Sequence, residues 1–243
     1  MSHHKHPKDY IFAALDIART EHELENWAQL LCPFVGGFKI GPVAMDSIGG
    51  PQAVRILKSV SNLPIFYDCK RHEVGHITQA SIEVLAKLPI DIFTIHASSG
   101  RKSLKVAMEN RGNTRPAVVT MLSSLDAEDC AEIYGFPPGI VVPKFARWAS
   151  ELGFKDIVCS PQELIMIKHN KHLAHLRAIT PGIRPLWAEA DGQVRFSTPT
   201  YAIKHGSEIL VIGTPITTPP EKVGSPIKAV EFITQEIERA IAA

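Results

Sequence analysis

Residues 64–70, "PIFYDCK", form a short apolar run that ends in an aspartate, a cysteine and a lysine. A run of this length, rich in aromatic and branched residues, is typical of a strand buried on both faces of a parallel sheet. Side chains two positions apart on a strand share one face, so Asp68 and Lys70 are predicted to lie side by side. Burying such a pair gains little stability, because desolvation offsets most of its attraction. This stretch alone leaves a structural ion pair and a functional site as equal alternatives.

Similar short apolar runs recur along the whole chain and alternate with longer helical patterns. Eight strand–helix units of about thirty residues each predict an α/β fold, a closed (β/α)8 TIM barrel in a single domain. An open doubly wound sheet is the alternative, but the GxGxxG turn expected after its first strand is absent. We predict a flexible N-terminal leader at residues 1–9 and the barrel at residues 10–243. The predicted strands are residues 10–16, 35–40, 64–70, 91–96, 116–122, 156–160, 176–180 and 208–213.

Three of the intervening segments show clear helical signals. Residues 21–31 follow a capping box, in which Thr20 is the N-cap and Glu23 lies three positions later. Residues 140–153 are predicted to form a second helix. The C-terminal helix, within residues 225–243, carries an apolar stripe that would pack on the barrel. The stripe consists of Ile227, Val230, Ile233, Ile237 and Ile241.

Composition excludes several classes of protein. The formal net charge is +1 over 243 residues, which argues against a general nucleic-acid surface. The sequence has neither an apolar stretch of eighteen residues nor an apolar signal region, so no membrane partner is expected. The cysteines are too widely spaced for a disulfide framework or zinc site, and two of them lie in buried strands. We therefore expect a reduced, cytoplasmic protein; the cysteines are Cys32, Cys69, Cys130 and Cys159.

The predicted barrel also indicates where functional groups gather, because barrel enzymes place them at the C-terminal ends of strands. Two lysines and two aspartates reach that end from three successive strands, which favours a functional site over a solvated surface. An ammonium fixed among carboxylates is suited to donate a proton to a carbanion. Asp68, Glu73 and His96 are residue types that bind metals, but the lysines already supply positive charge. The polar strand ends are Asp16, Lys39, Asp68, Lys70, His96, Ser123, Ser124, Ser160 and Thr180.

The last two strands are followed by segments typical of an anion site. "ITPGIRP" (179–185) ends the seventh strand and "IGTPIT" (212–217) ends the eighth. Loops at these two positions frequently bind phosphate in this fold, through backbone N–H groups and a helix N-terminus. The polar segment 186–199 between them is long enough to form a lid. These features predict a phosphorylated small-molecule substrate.

Eight short motifs follow one another along the chain: "ALD", "FKIG", "DCKRHE", "IHASSGRKSL", "VTMLSSLD", "GFKDIVCSPQE", "ITPGIRP" and "GQVRFSTP". Their order and spacing resemble the orotidine 5′-phosphate decarboxylase family over almost the whole chain. The resemblance implies a carboxy-lyase that converts orotidine 5′-phosphate to UMP in de novo pyrimidine biosynthesis. It also implies a homodimer that needs no metal and no organic cofactor.

The same resemblance assigns catalytic roles to individual positions. Lys70 would protonate carbon 6 of the pyrimidine as carbon dioxide leaves, and Asp68 would face the substrate carboxylate. Asp16 would bind the ribose, with Lys39 in the charge network beside the sugar. Glu73 matches a residue that enters the active site of the partner subunit.

Further positions of the resemblance concern the base and the phosphate. Ser123 would contact the pyrimidine ring, and Gln193 would reach both the ring and the phosphate. Arg184 belongs to the "PGIR" element, and Gly213 would offer its backbone to the phosphate. The next residue, Thr214, stands where the family has a phosphate-binding arginine. The candidate replacements for that arginine are the N–H groups of Gly213 and Thr214, with Arg184 or Arg195.

Two other differences from the family pattern lie after the third strand. Glu73 replaces an aspartate, and Ile77 stands where the family has a threonine, with Thr78 one place later. Ile77 also suits an apolar helix stripe with Val74 and Val84, together with Leu85 and Leu88.

Two alternative functions therefore stay open. One is a magnesium-dependent sugar-phosphate lyase of the same superfamily, and the other is a dimeric barrel without turnover.

Overall fold

A computed structural model describes residues 5–188 and 195–243 and contains a closed barrel of eight parallel strands in chain order. Each strand pairs in parallel with the next, and β1 pairs with β8 to close the barrel. The predicted single-domain (β/α)8 barrel is confirmed. The strands are β1 Ile11–Ala14, β2 Gly37–Ile40, β3 Ile65–Arg71, β4 Ile92–His96, β5 Arg115–Val119, β6 Asp156–Val158, β7 Arg177–Thr180 and β8 Ser207–Ile212.

Helices cover the outside of the barrel between successive strands. Within the described residues, none of them is long and apolar enough to cross a lipid bilayer. The capping box at Thr20 and Glu23 is present as predicted. The helices are α1 Glu21–Leu31, α2 Pro42–Ala44, α3 Gly50–Val60, α4 Gly75–Leu85, α5 Gly100–Asn110, α6 Ala127–Tyr134, α7 Pro138–Glu151, α8 Leu164–Lys168, α9 Pro199–Lys204, α10 Thr214–Thr217 and α11 Pro226–Ala242.

Several strands end earlier than the sequence predicted. β5 ends at Val119 rather than at residue 122, because its last paired residue faces Val158, where the short β6 also ends. Residues 120–122 are as apolar as the strand itself, so composition does not reveal where pairing stops. The consequence is functional, since residues 121–124 turn away from the sheet and line the mouth of the barrel.

Two apolar layers hold the barrel together. The interior is filled by one cluster, and a larger cluster packs the strands against the surrounding helices. In α11 the residues Val230, Ile233 and Ile237 are buried in the larger cluster, as predicted. Ile241 was predicted to continue this stripe but is exposed, because the turn of the helix brings Ala240 to the barrel instead. The interior cluster consists of Phe12, Phe66, Ile92, Ala117, Ile179 and Ile209.

The described part of the predicted leader contacts the N-terminal end of the barrel. Lys5 Nζ donates to the backbone oxygen of Glu208 at 2.5 Å and lies 3.9 Å from the centre of the Tyr10 ring. Residues Pro7–Tyr10 form one 3-10 turn, which packs beside β1. Residues 5–9 thus make contacts with the barrel, and the flexible leader at residues 1–9 stays a prediction. The division at residue 9 stays a prediction.

Candidate active site

A cavity of about 330 Å³ opens at the C-terminal ends of the strands, where the sequence predicted the functional groups. Its floor is formed by side chains of β2 and β3, and its walls by the segments after β1, β5, β7 and β8. The aromatic ring of Phe66 provides an apolar part of the lining. The predicted site residues that line this cavity are Asp16, Lys39, Asp68, Lys70, Ser123, Ser124, Arg184, Gly213 and Thr214.

Four of these residues form a continuous series of ion pairs, which we call the charged chain: Asp16, Lys39, Asp68 and Lys70. Lys39 Nζ contacts the Asp16 carboxylate and lies 3.6 Å from Asp68 Oδ2. Lys70 Nζ donates to the same Asp68 oxygen at 2.6 Å. Lys39 and Asp68 are buried, whereas about a third of the Lys70 side chain is exposed. Lys70 is thus the ammonium that a molecule in the cavity meets first.

The environment of Asp68 favours its charged form. Burial alone would raise the pKa of its carboxyl, but the positive charges of Lys39 and Lys70 outweigh burial. Hydrogen bonds from Lys70 and Thr94 act in the same direction, so the net effect lowers the pKa of Asp68. The carboxylate therefore stays ionised at neutral pH, in contact with two ammonium groups.

An irregularity in β3 positions Lys70. The pairing of β3 with β4 shifts register between Tyr67 and Arg71, and Lys70 lies in that interval with a φ of 45°. This left-handed conformation is unfavourable for a residue other than glycine and is retained where the surroundings enforce it. Thr94 on β4 supplies that constraint, since its Oγ1 accepts from the Lys70 N–H at 2.7 Å and donates to Asp68 Oδ1 at 2.9 Å.

Gly41, directly after β2, allows the first half of the charged chain to form. A Cβ atom at this position would lie 2.6 Å from Asp16 Oδ1 and 3.2 Å from Lys39 Nζ. Asp16 Oδ1 is itself buried and has no hydrogen-bond partner among residues 5–188 and 195–243. The Asp16 side chain as a whole is 42% exposed and lines the cavity, so its carboxylate is able to accept a hydrogen bond from a ligand hydroxyl.

The opposite wall of the cavity combines a cation with backbone groups. The buried Arg184 lies on the segment after β7, and Gly213 and Thr214 follow β8. The Arg184 N–H donates to the oxygen of Ser197 at 2.8 Å, and the Ser197 N–H donates to the Gly182 oxygen at 3.1 Å. Segment 182–184 is thereby held beside residue 197. A second cavity of about 290 Å³ adjoins this wall and shares Arg184 and Thr214 with the first.

Glu73 is one predicted site residue that does not line the cavity of its own chain. Its side chain is exposed, and its backbone oxygen accepts hydrogen bonds from the hydroxyls of Thr78 and Ser103, at 3.1 and 3.3 Å. The neighbouring Val74 and Ile77 are 61% and 44% exposed. The part of the predicted apolar stripe formed by Val74 and Ile77 is therefore not buried in the core of its own chain.

Three of the predicted polar strand ends also lie outside the cavity lining. Thr180 is buried and exchanges a hydrogen bond of 2.7 Å with the hydroxyl of Ser207. Ser160 is the buried N-cap of the turn Pro161–Glu163. His96 packs against the ring of His72, and burial, with smaller effects of His72 and Lys70, lowers its pKa to about 4. The contact with His72 and its place outside the cavity lining favour a packing role for His96 over the role of a base.

The sequence did not reveal the roles of Thr94, Glu163 and Arg195. Thr94 looks like an ordinary residue of a buried strand, and nothing in the sequence links it to Asp68. Arg195 was a candidate phosphate ligand, but it is buried in an ion pair with Glu163 and does not line the cavity. Gln193 lies outside the described residues. Within residues 5–188 and 195–243, no group of three His, Cys, Asp or Glu side chains is arranged to hold a metal ion.

Comparisons with known proteins agree with this geometry. Proteins named orotidine 5′-phosphate decarboxylase are similar over most of the chain. The one from Geotalea uraniireducens is 33% identical over 93% of this chain and 94% of its own. The one from Gloeothece citriformis is 34% identical over 94% of this chain and 97% of its own.

Solved structures give the same result. The crystal structure of orotidine 5′-phosphate decarboxylase from Lactobacillus acidophilus is 25% identical, with a TM-score of 0.73 over 93% of this chain and 98% of that one. An uncharacterized conserved protein from Geobacillus kaustophilus is 26% identical, with a TM-score of 0.74 over 93% and 99% of the two chains. A family model matches residues 9–225. The chain therefore belongs to the orotidine 5′-phosphate decarboxylase / HUMPS family.

Proposed function

We propose that this protein is a carboxy-lyase that decarboxylates orotidine 5′-phosphate to UMP in pyrimidine biosynthesis. The observation that carries the proposal is the charged chain, which ends in the Lys70 ammonium at the floor of a cavity. The names of the similar proteins support the same reaction. We assign the activity to the barrel of residues 10–243. A cytoplasmic location is part of the proposal, because all four cysteines are free thiols, as is usual in a reducing compartment.

The reaction requires one proton and releases one molecule of carbon dioxide. When the bond between carbon 6 and the carboxylate breaks, carbon dioxide leaves and the electron pair stays on carbon 6. Lys70 Nζ donates a proton to that carbon, and the resulting amine regains a proton from solvent. A substrate carboxylate seated beside Lys70 also meets the negative charge of Asp68, and this repulsion disappears as carbon dioxide departs.

The remaining cavity residues suit the rest of the substrate. Asp16, whose side chain lines the cavity, accepts hydrogen bonds from the ribose through its carboxylate, and Lys39 holds Asp16 in place. Ser123 contacts the pyrimidine ring from the cavity wall that follows β5. The phosphate is bound by the Arg184 guanidinium and by the N–H groups of Gly213 and Thr214, with charge-assisted hydrogen bonds supplied by the arginine. Gln193 stays a predicted ligand of the ring and phosphate.

We further propose that the active protein is a homodimer in which Glu73 reaches the cavity of the partner subunit. Support comes from the exposed position of Glu73 outside its own cavity and from the exposed apolar residues Val74 and Ile77 beside it. Mixing Lys70→Ala with Glu73→Ala subunits tests this directly, since one site of each heterodimer carries both native residues. Activity regained in verified heterodimers supports the dimer. A monomer at assay concentration, or no rescue, contradicts it.

A direct assay separates this function from the alternatives. Purified protein is incubated with orotidine 5′-phosphate, with and without a chelator, and loss of the substrate carboxylate is measured. We expect decarboxylation that the chelator does not change. Magnesium-dependent cleavage of a sugar phosphate would favour the related lyase, and inactivity on both substrates would favour a barrel without turnover.

A further inference from the structure

The ion pair of Arg195 and Glu163 lies behind the cavity wall and is almost completely buried, with exposures of 6% and 2%. Arg195 Nη1 contacts the Glu163 carboxylate, and Nη2 donates to the backbone oxygen of Leu122 at 2.8 Å. Leu122 and the two residues that follow it line the cavity. One guanidinium thus joins the turn after β6 to the wall after β5.

The backbone around this pair extends the connection to the wall after β7. The other Glu163 oxygen accepts from the Ser160 N–H at 2.8 Å, and Ser160 Oγ donates to the Arg195 oxygen at 3.4 Å. Two residues after Arg195, Ser197 exchanges hydrogen bonds with segment 182–184, which carries Arg184. Arg195 is therefore attached to both walls, one through its side chain and the other through its backbone.

Stability alone is a weak reason to bury such a pair. Replacing a buried ion pair with apolar residues is often neutral or stabilising, because the desolvation cost is avoided. Here burial raises the pKa of Glu163, and the positive charge of Arg195 opposes this effect only in part. The charged form of the carboxylate is therefore disfavoured at this position. What the pair adds is geometry, since a planar guanidinium donates in two fixed directions at once.

We propose that Arg195 and Glu163 are positioning residues that set the distance between the cavity wall carrying Ser123 and the wall carrying Arg184. The substrate meets both walls, so the pair determines how well the pyrimidine ring and the phosphate fit together. This inference rests on the proposed function. Neither residue touches the substrate, and both act through the backbone they hold.

Kinetics of matched variants test the proposal. Arg195→Met removes both side-chain contacts, whereas Arg195→Lys keeps the charge but loses the planar pair of donors. The control is Arg177→Met, which breaks an ion pair of 2.7 Å between the half-exposed Arg177 and the buried Asp156 at the other end of the barrel. We expect Arg195→Met to lower kcat/KM for orotidine 5′-phosphate by about 10- to 100-fold, the effect of a small misplacement of binding groups. The kcat/KM of Arg195→Lys should lie between the values for the native protein and for Arg195→Met. The control Arg177→Met should change kcat/KM by less than about twofold.

A double-mutant cycle separates positioning from general stabilisation. If Arg195 acts through the Ser123 wall, Arg195→Met should cost less in a Ser123→Ala background than in the native protein. Equal costs in the two backgrounds, or an effect of Arg195→Met no larger than that of Arg177→Met, would overturn the proposal.

Hydrogen exchange tests the same claim without any substrate. The Leu125 N–H donates to the Leu122 oxygen at 3.2 Å. The exchange rate of this amide therefore measures how well the wall after β5 is ordered. Arg195→Met should speed amide exchange in segments 120–125 and 182–184, while Arg177→Met should not. Unchanged exchange there refutes the positioning role. Absence of decarboxylation by the native protein would instead refute the proposed function, and the exchange result would still decide the inference.

Discussion

Replacing Thr94 with valine should damage the active site more than the fold. Thr94 is fully buried on β4, and valine has nearly the same shape, so the packing of the strand is retained. The Lys70 N–H and Asp68 Oδ1 each lose a hydrogen bond, of 2.7 and 2.9 Å. An unsatisfied buried group costs about 1–3 kcal/mol. The two unsatisfied groups together would cost about 2–6 kcal/mol if both were fully buried. Because the cavity is open to water on one side, we expect the free energy of unfolding to fall by about 2–3 kcal/mol, near the lower end of that range.

The kinetic effect follows from the conformation of Lys70. Its φ of 45° is unfavourable for a lysine, and the bond to Thr94 helps to enforce it. Without that bond, the backbone relaxes toward an ordinary strand and the ammonium moves away from Asp68. A displacement of about 1 Å costs about 100-fold in rate, so we expect kcat for decarboxylation to fall by that order.

The assay compares kcat and the midpoint of thermal unfolding for three variants. Thr94→Ser keeps the hydroxyl and should retain most activity. Thr114→Val removes a buried hydroxyl that donates to the Arg111 oxygen at 2.6 Å, on the side of the barrel away from the cavity. It should lower stability without lowering kcat. If Thr94→Val lost stability but kept kcat within about threefold of the native value, the reasoning about Lys70 would be wrong.

Three other changes probe separate parts of the site. Gly41→Ala places a methyl group against Asp16, so kcat/KM should fall by about tenfold or more, while Gly139→Ala, whose added Cβ meets no atom within 4 Å, should have no effect. His96 should stay neutral down to about pH 5 in an NMR titration, because burial lowers its pKa from 6.5 to about 4. Its contribution to stability is complete above pH 6.5 and lost as the pH falls toward 4, and His96→Gln should remove that part of the pH dependence. Thr214→Arg should tighten UMP binding by about 10- to 150-fold, since a hydrogen bond to a charged group contributes about 1.5–3 kcal/mol and the adjoining cavity offers room. Equal UMP affinity of the two forms in calorimetry would show that another group already holds the phosphate.

The features predicted from the sequence are those that repeat or that lie at strand ends. Each strand is a short apolar run, and a parallel barrel brings the residues after such runs to one mouth. The four residues of the charged chain are therefore predicted to meet from the sequence alone, and their ion pairs confirm it. The same rule wrongly includes Thr180, whose hydroxyl is used within the barrel wall.

The features that the sequence did not predict depend on contacts between distant segments. Thr94 bonds to residues more than twenty positions earlier, and Arg195 pairs with Glu163, which lies 32 positions earlier. Neither contact leaves a pattern in the local sequence. The register shift in β3 is also invisible there, because "YDCKR" reads as a regular strand although Lys70 adopts a left-handed conformation.

The most direct test of the central claim asks whether Lys70 donates the proton that carbon 6 receives. Native protein and Lys70→Ala are each incubated with orotidine 5′-phosphate in D2O, and carbon dioxide release and deuterium at carbon 6 of UMP are measured together. Calorimetry with UMP verifies that the variant still binds the product. We expect the native protein to release carbon dioxide and to form UMP deuterated at carbon 6, and Lys70→Ala to bind UMP but form none. Carbon dioxide release by Lys70→Ala at a near-native rate would contradict the assignment of Lys70 as the proton donor.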